Sequence, residues 1–95
     1  MLGVMRNDIL QLSKGVVLHA ISELEKCWAF NVETGDQYDL NSSAYFLLTR
    51  FVEPTSVNAA LCDFTKTYEL SDLEADKDCL PLLTQYLEDG LFERR

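Results

Sequence analysis

The sequence predicts an α+β domain of winged helix-turn-helix-like layout, a three-stranded antiparallel sheet followed by three helices. Three observations predict it. Up to residue 40, apolar residues alternate with polar ones or gather in short β-branched runs, as strands require. From residue 42 the apolar spacing changes to the three-and-four step of helices. Gly35, Pro54, Pro81 and Gly90 punctuate the pattern where turns and helix ends are needed.

Residues 1–8 show no clear period and are expected to form a flexible end, with an added strand at Ile9–Leu12 left open. Val16–Ile21 is apolar except for His19 and β-branched at Val16, Val17 and Ile21, which suits a strand. Residues 27–32 alternate large Trp28, Phe30 and Val32 with Ala29 and Asn31, giving a half-buried strand with an aromatic face. Thr34 and Gly35 turn the chain, and Gln37–Leu40 returns as the partner strand. Tyr38 and Leu40 share one face of it, Gln37 and Asp39 the other.

Ser42 or Ser43 is expected to cap the first helix, since a hydroxyl can accept from the free N–H groups of a first turn. Ala44, Leu47, Leu48 and Phe51 follow at helical spacing, and Pro54 ends the run because the residue before a proline avoids the helical region. Thr55 or Ser56 caps the second helix, whose stripe is Val57, Ala60, Leu61, Phe64 and Tyr68. The short link Glu53-Pro54-Thr55 suits a helix-turn-helix corner. Residues 71–89 form the third helical segment, interrupted by Pro81, which inside a helix costs ~3 kcal/mol. Either a short turn covers residues 72–78 and the main helix starts just before Pro81 with Asp78 as its cap, or one helix kinks there. The first is favoured, because proline is tolerated in a first turn. Gly90 stops the helix, and Leu91 and Phe92 fold back onto the core.

Ninety-five residues make a single domain, residues 1–95. A chain of this length buries roughly 60–70% of its unfolded surface. Sixteen Asp and Glu against eight Lys and Arg give a net charge of −8. The average field repels phosphate backbones and anionic lipid, so nucleic acid and membrane are set aside as partners. No stretch approaches the ~20 apolar residues that cross a bilayer. The start, MLGVMRND, lacks the basic-then-apolar order of a signal peptide. The expected location is cytoplasmic. Cys27, Cys62 and Cys79 are odd in number and form no C-x-x-C pair, so they are expected as small buried hydrophobes in a reducing compartment.

No reaction centre is legible. His19 is alone in an apolar strand and reads as structural, and no nucleophile elbow, phosphate loop, zinc helix or dinucleotide glycine pattern is present. The acidic run over residues 69–78 lacks the central glycine and bidentate Glu of a calcium loop, and reads as a solvated, helix-capping face. No catalytic residue, metal or cofactor is expected. A DNA-reading third helix would offer only Lys77 among four acids before Pro81, so an acidic winged-helix transcription regulator is the alternative function. The positive reading is strand addition. If the third strand is an edge, Asp36, Gln37, Tyr38, Asp39 and Leu40 would offer backbone groups to an extended peptide. Leu80, Leu83, Tyr86 and Leu87 of the third helix would supply apolar pockets, although Leu83 and Leu87 serve equally well as core.

The order of these pieces resembles the PqqD-like domains. The resemblance runs from Val16 to Phe92. It is carried by Asp39-Leu40-Asn41-Ser42-Ser43-Ala44, Leu47-Leu48, Val57, Leu61, Tyr68, Asp78-Cys79, Leu82-Leu83, Tyr86 and Gly90-Leu91. Departures are Cys79 in place of a branched aliphatic, Tyr86 in place of leucine, Pro81, and no glycine in residues 51–54; they bear on the groove more than on the fold. The resemblance implies a non-catalytic module that grips the leader of a ribosomally made precursor peptide. The leader would lie antiparallel to the residue 36–40 strand and against the third helix. It also implies docking on a modifying enzyme, such as a radical SAM protein, a cyclase or a leader peptidase.

Overall fold

A computed structural model describes residues 3–95; Met1 and Leu2 lie outside the described residues. The elements are β1 (Ile9–Leu12), β2 (Val16–Ile21), β3 (Lys26–Asn31), β4 (Gln37–Leu40), α1 (Ser42–Thr49), β5 (Thr55–Ser56), α2 (Val57–Tyr68), α3 (Asp72–Glu88) and β6 (Phe92–Arg94). The expected meander is present as a sheet of order β2-β3-β4, antiparallel throughout. The turn between β3 and β4 is held by Asn31, whose Oδ1 accepts from the N–H groups of Glu33 at 2.9 Å and Thr34 at 3.3 Å. Gly35 takes a φ of 81°, which a residue with a Cβ adopts only at a cost.

A second sheet, absent from the sequence reading, has the order β5-β1-β6 and gathers three segments distant in the chain. Leu10 pairs with Thr55 on one side and Arg94 on the other. The open strand at Ile9–Leu12 is therefore real, and the link between α1 and α2 doubles as an edge strand. Leu10 is fully buried and sits in one core with Phe51, Leu61, Leu83, Leu91 and Phe92, where the Phe51 and Phe92 rings meet at 5.1 Å.

Within the segment expected to be flexible, Val4 and Arg6 are tied to the fold, while Met5 is 58% exposed. Val4 is 4% exposed, and its N–H donates to Thr84 Oγ1 at 2.9 Å. Arg6 Nε lies 2.8 Å from Asp76 Oδ1, and Arg6 Nη1 donates to Asn58 Oδ1 at 2.7 Å. One arginine thus ties the N-terminal segment to both α2 and α3.

Two helix starts differ from expectation. Asn41, rather than Ser42 or Ser43, caps α1: its Oδ1 accepts from the Ala44 N–H at 2.8 Å, and the Ser43 hydroxyl donates to the same oxygen at 3.0 Å. An asparagine one residue earlier does the capping, and both serines enter the first turn. Ser56 caps α2 as expected. The third helix is continuous and does not restart before Pro81. It begins at a capping box in which Ser71 Oγ accepts from the Glu74 N–H and Glu74 Oε1 accepts from the Ser71 N–H, each at 3.1 Å. Pro81 is exposed, as is Lys77 four residues earlier. The carbonyl that loses its helical partner therefore lies on the solvated side. On the opposite side Ala75, Cys79 and Leu83 are buried at four-residue steps and anchor the helix before and after the proline.

The cysteines also divide. Cys79 is buried, Cys27 half-buried with Sγ 3.2 Å from the Leu40 carbonyl, and Cys62 exposed, so only one is the buried hydrophobe expected. Burial, then Asp78 and Asp76, push the Cys79 thiol up to about 11, as suits a structural group. His19 is exposed on the outer face of the meander, its ring 4.9 Å from that of Trp28. Among the described residues, no helix is long and apolar enough to cross a membrane.

Candidate peptide-binding site

The meander has two edges, and the hydrogen-bond parity of its ladders fixes what each offers. The Asn31 N–H donates to the Asp36 carbonyl at 2.9 Å, and the Val32 N–H donates to the Gly15 carbonyl at 2.9 Å. Antiparallel ladders alternate, so with the observed register Ala29 and Cys27 spend their backbone groups on Tyr38 and Leu40. The N–H and C=O of Gln37 and Asp39 then point away from the sheet. Among the described residues β4 pairs with β3 alone, leaving these groups unpaired by any strand. By the same parity Leu18 and Ala20 point outward from β2 at the other edge.

A cleft of about 490 Å³ opens past the end of β4, between Asn41 and the first turn of α1, Phe64 and Tyr68 of α2, and Asp78, Cys79 and Leu82 of α3; no residue of β4 lines it. At the other end of the strand, partial desolvation and then the carboxylates of Asp36 and Asp89 push the Tyr38 phenol above its ordinary value. Burial and again Asp89 raise Tyr86. Asp89, at the end of α3, thus bears electrostatically on a tyrosine of β4 and a tyrosine of α3. Tyr38, Leu40, Leu82 and Tyr86 are half-buried and pack onto the core.

The nine expected site residues fall into three groups. Gln37 and Asp39 present backbone at the edge, with exposed side chains on the outer face, while Tyr38, Leu40 and Tyr86 are half-buried against the core and Asp36 is exposed. Leu83 is 0% exposed and belongs to the core. Leu80 and Leu87 lie on the flank of α3 shared with Thr84, whose hydroxyl donates to the Leu80 carbonyl and accepts from Val4, so this flank is turned to the N-terminal segment. Leu82, outside the expected set, lines the cleft among the helices; it sits four residues before Tyr86, on the same flank.

No protein-family model matches the chain, and no curated protein matches it in sequence. A solved structure does match in shape. It is the solution NMR structure of the PqqD truncation of Methylobacterium extorquens PqqCD, described as a functional and stand-alone recognition element for ribosomally synthesized and post-translationally modified peptides. The two superpose with a TM-score of 0.78 over 96% of this chain and 95% of that one, at 22% sequence identity. The chain has the PqqD fold. The α+β, winged-helix-like expectation and the PqqD-like resemblance are borne out at the level of the fold.

Proposed function

We infer that this protein is a non-catalytic adaptor that binds the leader segment of a ribosomally made precursor peptide and presents it to a modifying enzyme. The observation that carries the reading is the edge of β4, unpaired among the described residues, with the backbone of Gln37 and Asp39 facing outward and Tyr38 and Leu40 half-buried on its inner face. An extended leader would add as a fourth strand, its backbone supplying affinity and alternate side chains turned to the inner face. The PqqD fold of the chain supports the same role, since its structural neighbour is a stand-alone recognition element. The partner enzyme would be a radical SAM protein, a cyclase or a leader peptidase. Holding the leader raises the local concentration of the attached core peptide at that enzyme. Three unbridged cysteines suit work in the cytoplasm.

The test is calorimetric titration with synthetic leaders of the short peptides encoded beside the gene, using wild type and Asp39→Pro. Proline removes the outward N–H at the centre of the edge without touching the core. Wild-type binding that is lost in folded Asp39→Pro is the expected result. Equal binding by both would remove the edge-strand mode.

A further inference from the structure

The outer face of the meander holds a feature that leader contacts on the inner face do not use. Glu25, Lys26, Trp28, Gln37 and Asp39 surround an open pocket of about 410 Å³ at the free edge. Cross-strand register sets His19, Trp28 and Asp39 in one row across the outer face: His19 pairs with Trp28, and Trp28 pairs with Asp39. The row stops at Asp39 because the sheet stops there. Asp39 accepts one hydrogen bond, from Gln37 Nε2 to Oδ1 at 3.3 Å, and neither Asp39 nor Glu25 has an ion-pair partner among the described residues. The arginines pair elsewhere, with Asp72, Asp76, Asp63, Asp8 and Glu93.

Resting on the strand-addition reading above, we propose that this pocket selects a Lys or Arg in the leader, at the position directly opposite Asp39. Parity decides the placement. A strand added to β4 puts the residues opposite Tyr38 and Leu40 onto the inner face, and those opposite Gln37 and Asp39 onto the outer face. The residue opposite Asp39 extends the His19–Trp28–Asp39 row by one member. Opposite charges directly across a ladder attract, and like charges repel. A cationic side chain there meets the Asp39 carboxylate, with Glu25 and the Trp28 ring on the pocket wall; Lys26 offsets one of the two carboxylates and leaves the pocket at −1, and the net charge of −8 favours a cation further. The recognised segment is therefore extended, apolar at alternate positions and basic at one intervening position. A peptide acidic at that position is rejected.

The experiment is a double-mutant cycle by titration at low and high salt. It uses wild type, Asp39→Asn and Asp39→Pro against the leader of a neighbouring precursor peptide, and against versions with each Lys or Arg changed singly to Ala. Asp39→Asn keeps the backbone edge and removes only the charge. The expected result is a roughly two- to fivefold weaker binding for Asp39→Asn at low salt, shrinking at high salt. One alanine-substituted leader should show the same loss and no further loss with Asp39→Asn. Unchanged affinity of Asp39→Asn, or full affinity of a leader with no cationic residue, overturns the pocket while loss in Asp39→Pro keeps the edge. No effect of Asp39→Pro overturns both.

Discussion

The two flanks of α3 carry similar residues and do different things. On one flank, Thr84 accepts from the Val4 N–H and Arg6 reaches Asp76, so the N-terminal segment is tied down beside half-buried Leu80 and Leu87. On the other, Leu82 and Tyr86 are half-buried to the same degree, and among the described residues no hydrogen bond ties the N-terminal segment to them. Apolar character alone therefore does not separate the two flanks of a helix; what separates them on α3 is which one the N-terminal segment is bonded to.

The largest expected effect lies between the flanks. Leu83→Ala opens a cavity under both and should destabilise the fold by ~2–5 kcal/mol. Leader affinity should fall only as far as the folded fraction does, which denaturant unfolding and titration of the same sample will separate. Excess loss of affinity would return Leu83 to the binding site. Next, Leu82→Ala on the Tyr86 flank should weaken leader binding about five- to thirtyfold, or ~1–2 kcal/mol, through lost apolar contact. An equal loss from Leu87→Ala would erase the distinction between flanks. On the flank bonded to the N-terminal segment, Arg6→Ala should lower stability by ~1 kcal/mol and leave affinity unchanged. The cost is modest because Arg6 Nη2 already lacks a hydrogen-bond partner and stands 3.9 Å from Asp72.

The smallest effect is silent at neutral pH. Cys79 faces the core, and its thiol is raised from 9.0 to about 11 in the fold. A group held protonated by folding contributes stability that is complete below pH 9 and is lost as pH rises through about 11. Unfolding free energy should decline across that window, and Cys79→Val should flatten part of the decline. Tyr86, also raised by burial, contributes in the same direction.

Legibility in the sequence followed the range of the interactions. The meander and α2 were readable because alternation and the four-residue stripe are local. β5 and β6 are two and three residues long and exist only through pairing with β1 across the chain, so no local period announces them. The continuity of α3 was readable in part: Ser71 and Glu74 spell a capping box, but Pro81 outweighed it. Whether its lost hydrogen bond faces water or core depends on packing. The candidate site divided along the same line. The edge strand follows from β4 being last in a meander. The row Leu80, Leu83, Leu87 is a true apolar row, yet nothing local says that only Leu83 is fully buried or that Val4 bonds to Thr84 beside it. The free backbone of Gln37 and Asp39 rests on ladder parity, which a sequence does not carry.

Amide hydrogen exchange by NMR, with and without a bound leader, distinguishes a peptide held on β4 from one held on β2. The Gln37 and Asp39 amides point outward from β4, the Tyr38 amide is already bonded to β3, and the Leu18 and Ala20 amides point outward from β2. Leader binding should slow exchange at Gln37 and Asp39, change Tyr38 little, and leave Leu18 and Ala20 as they were. New protection at Leu18 and Ala20 with none at Gln37 and Asp39 would contradict the account.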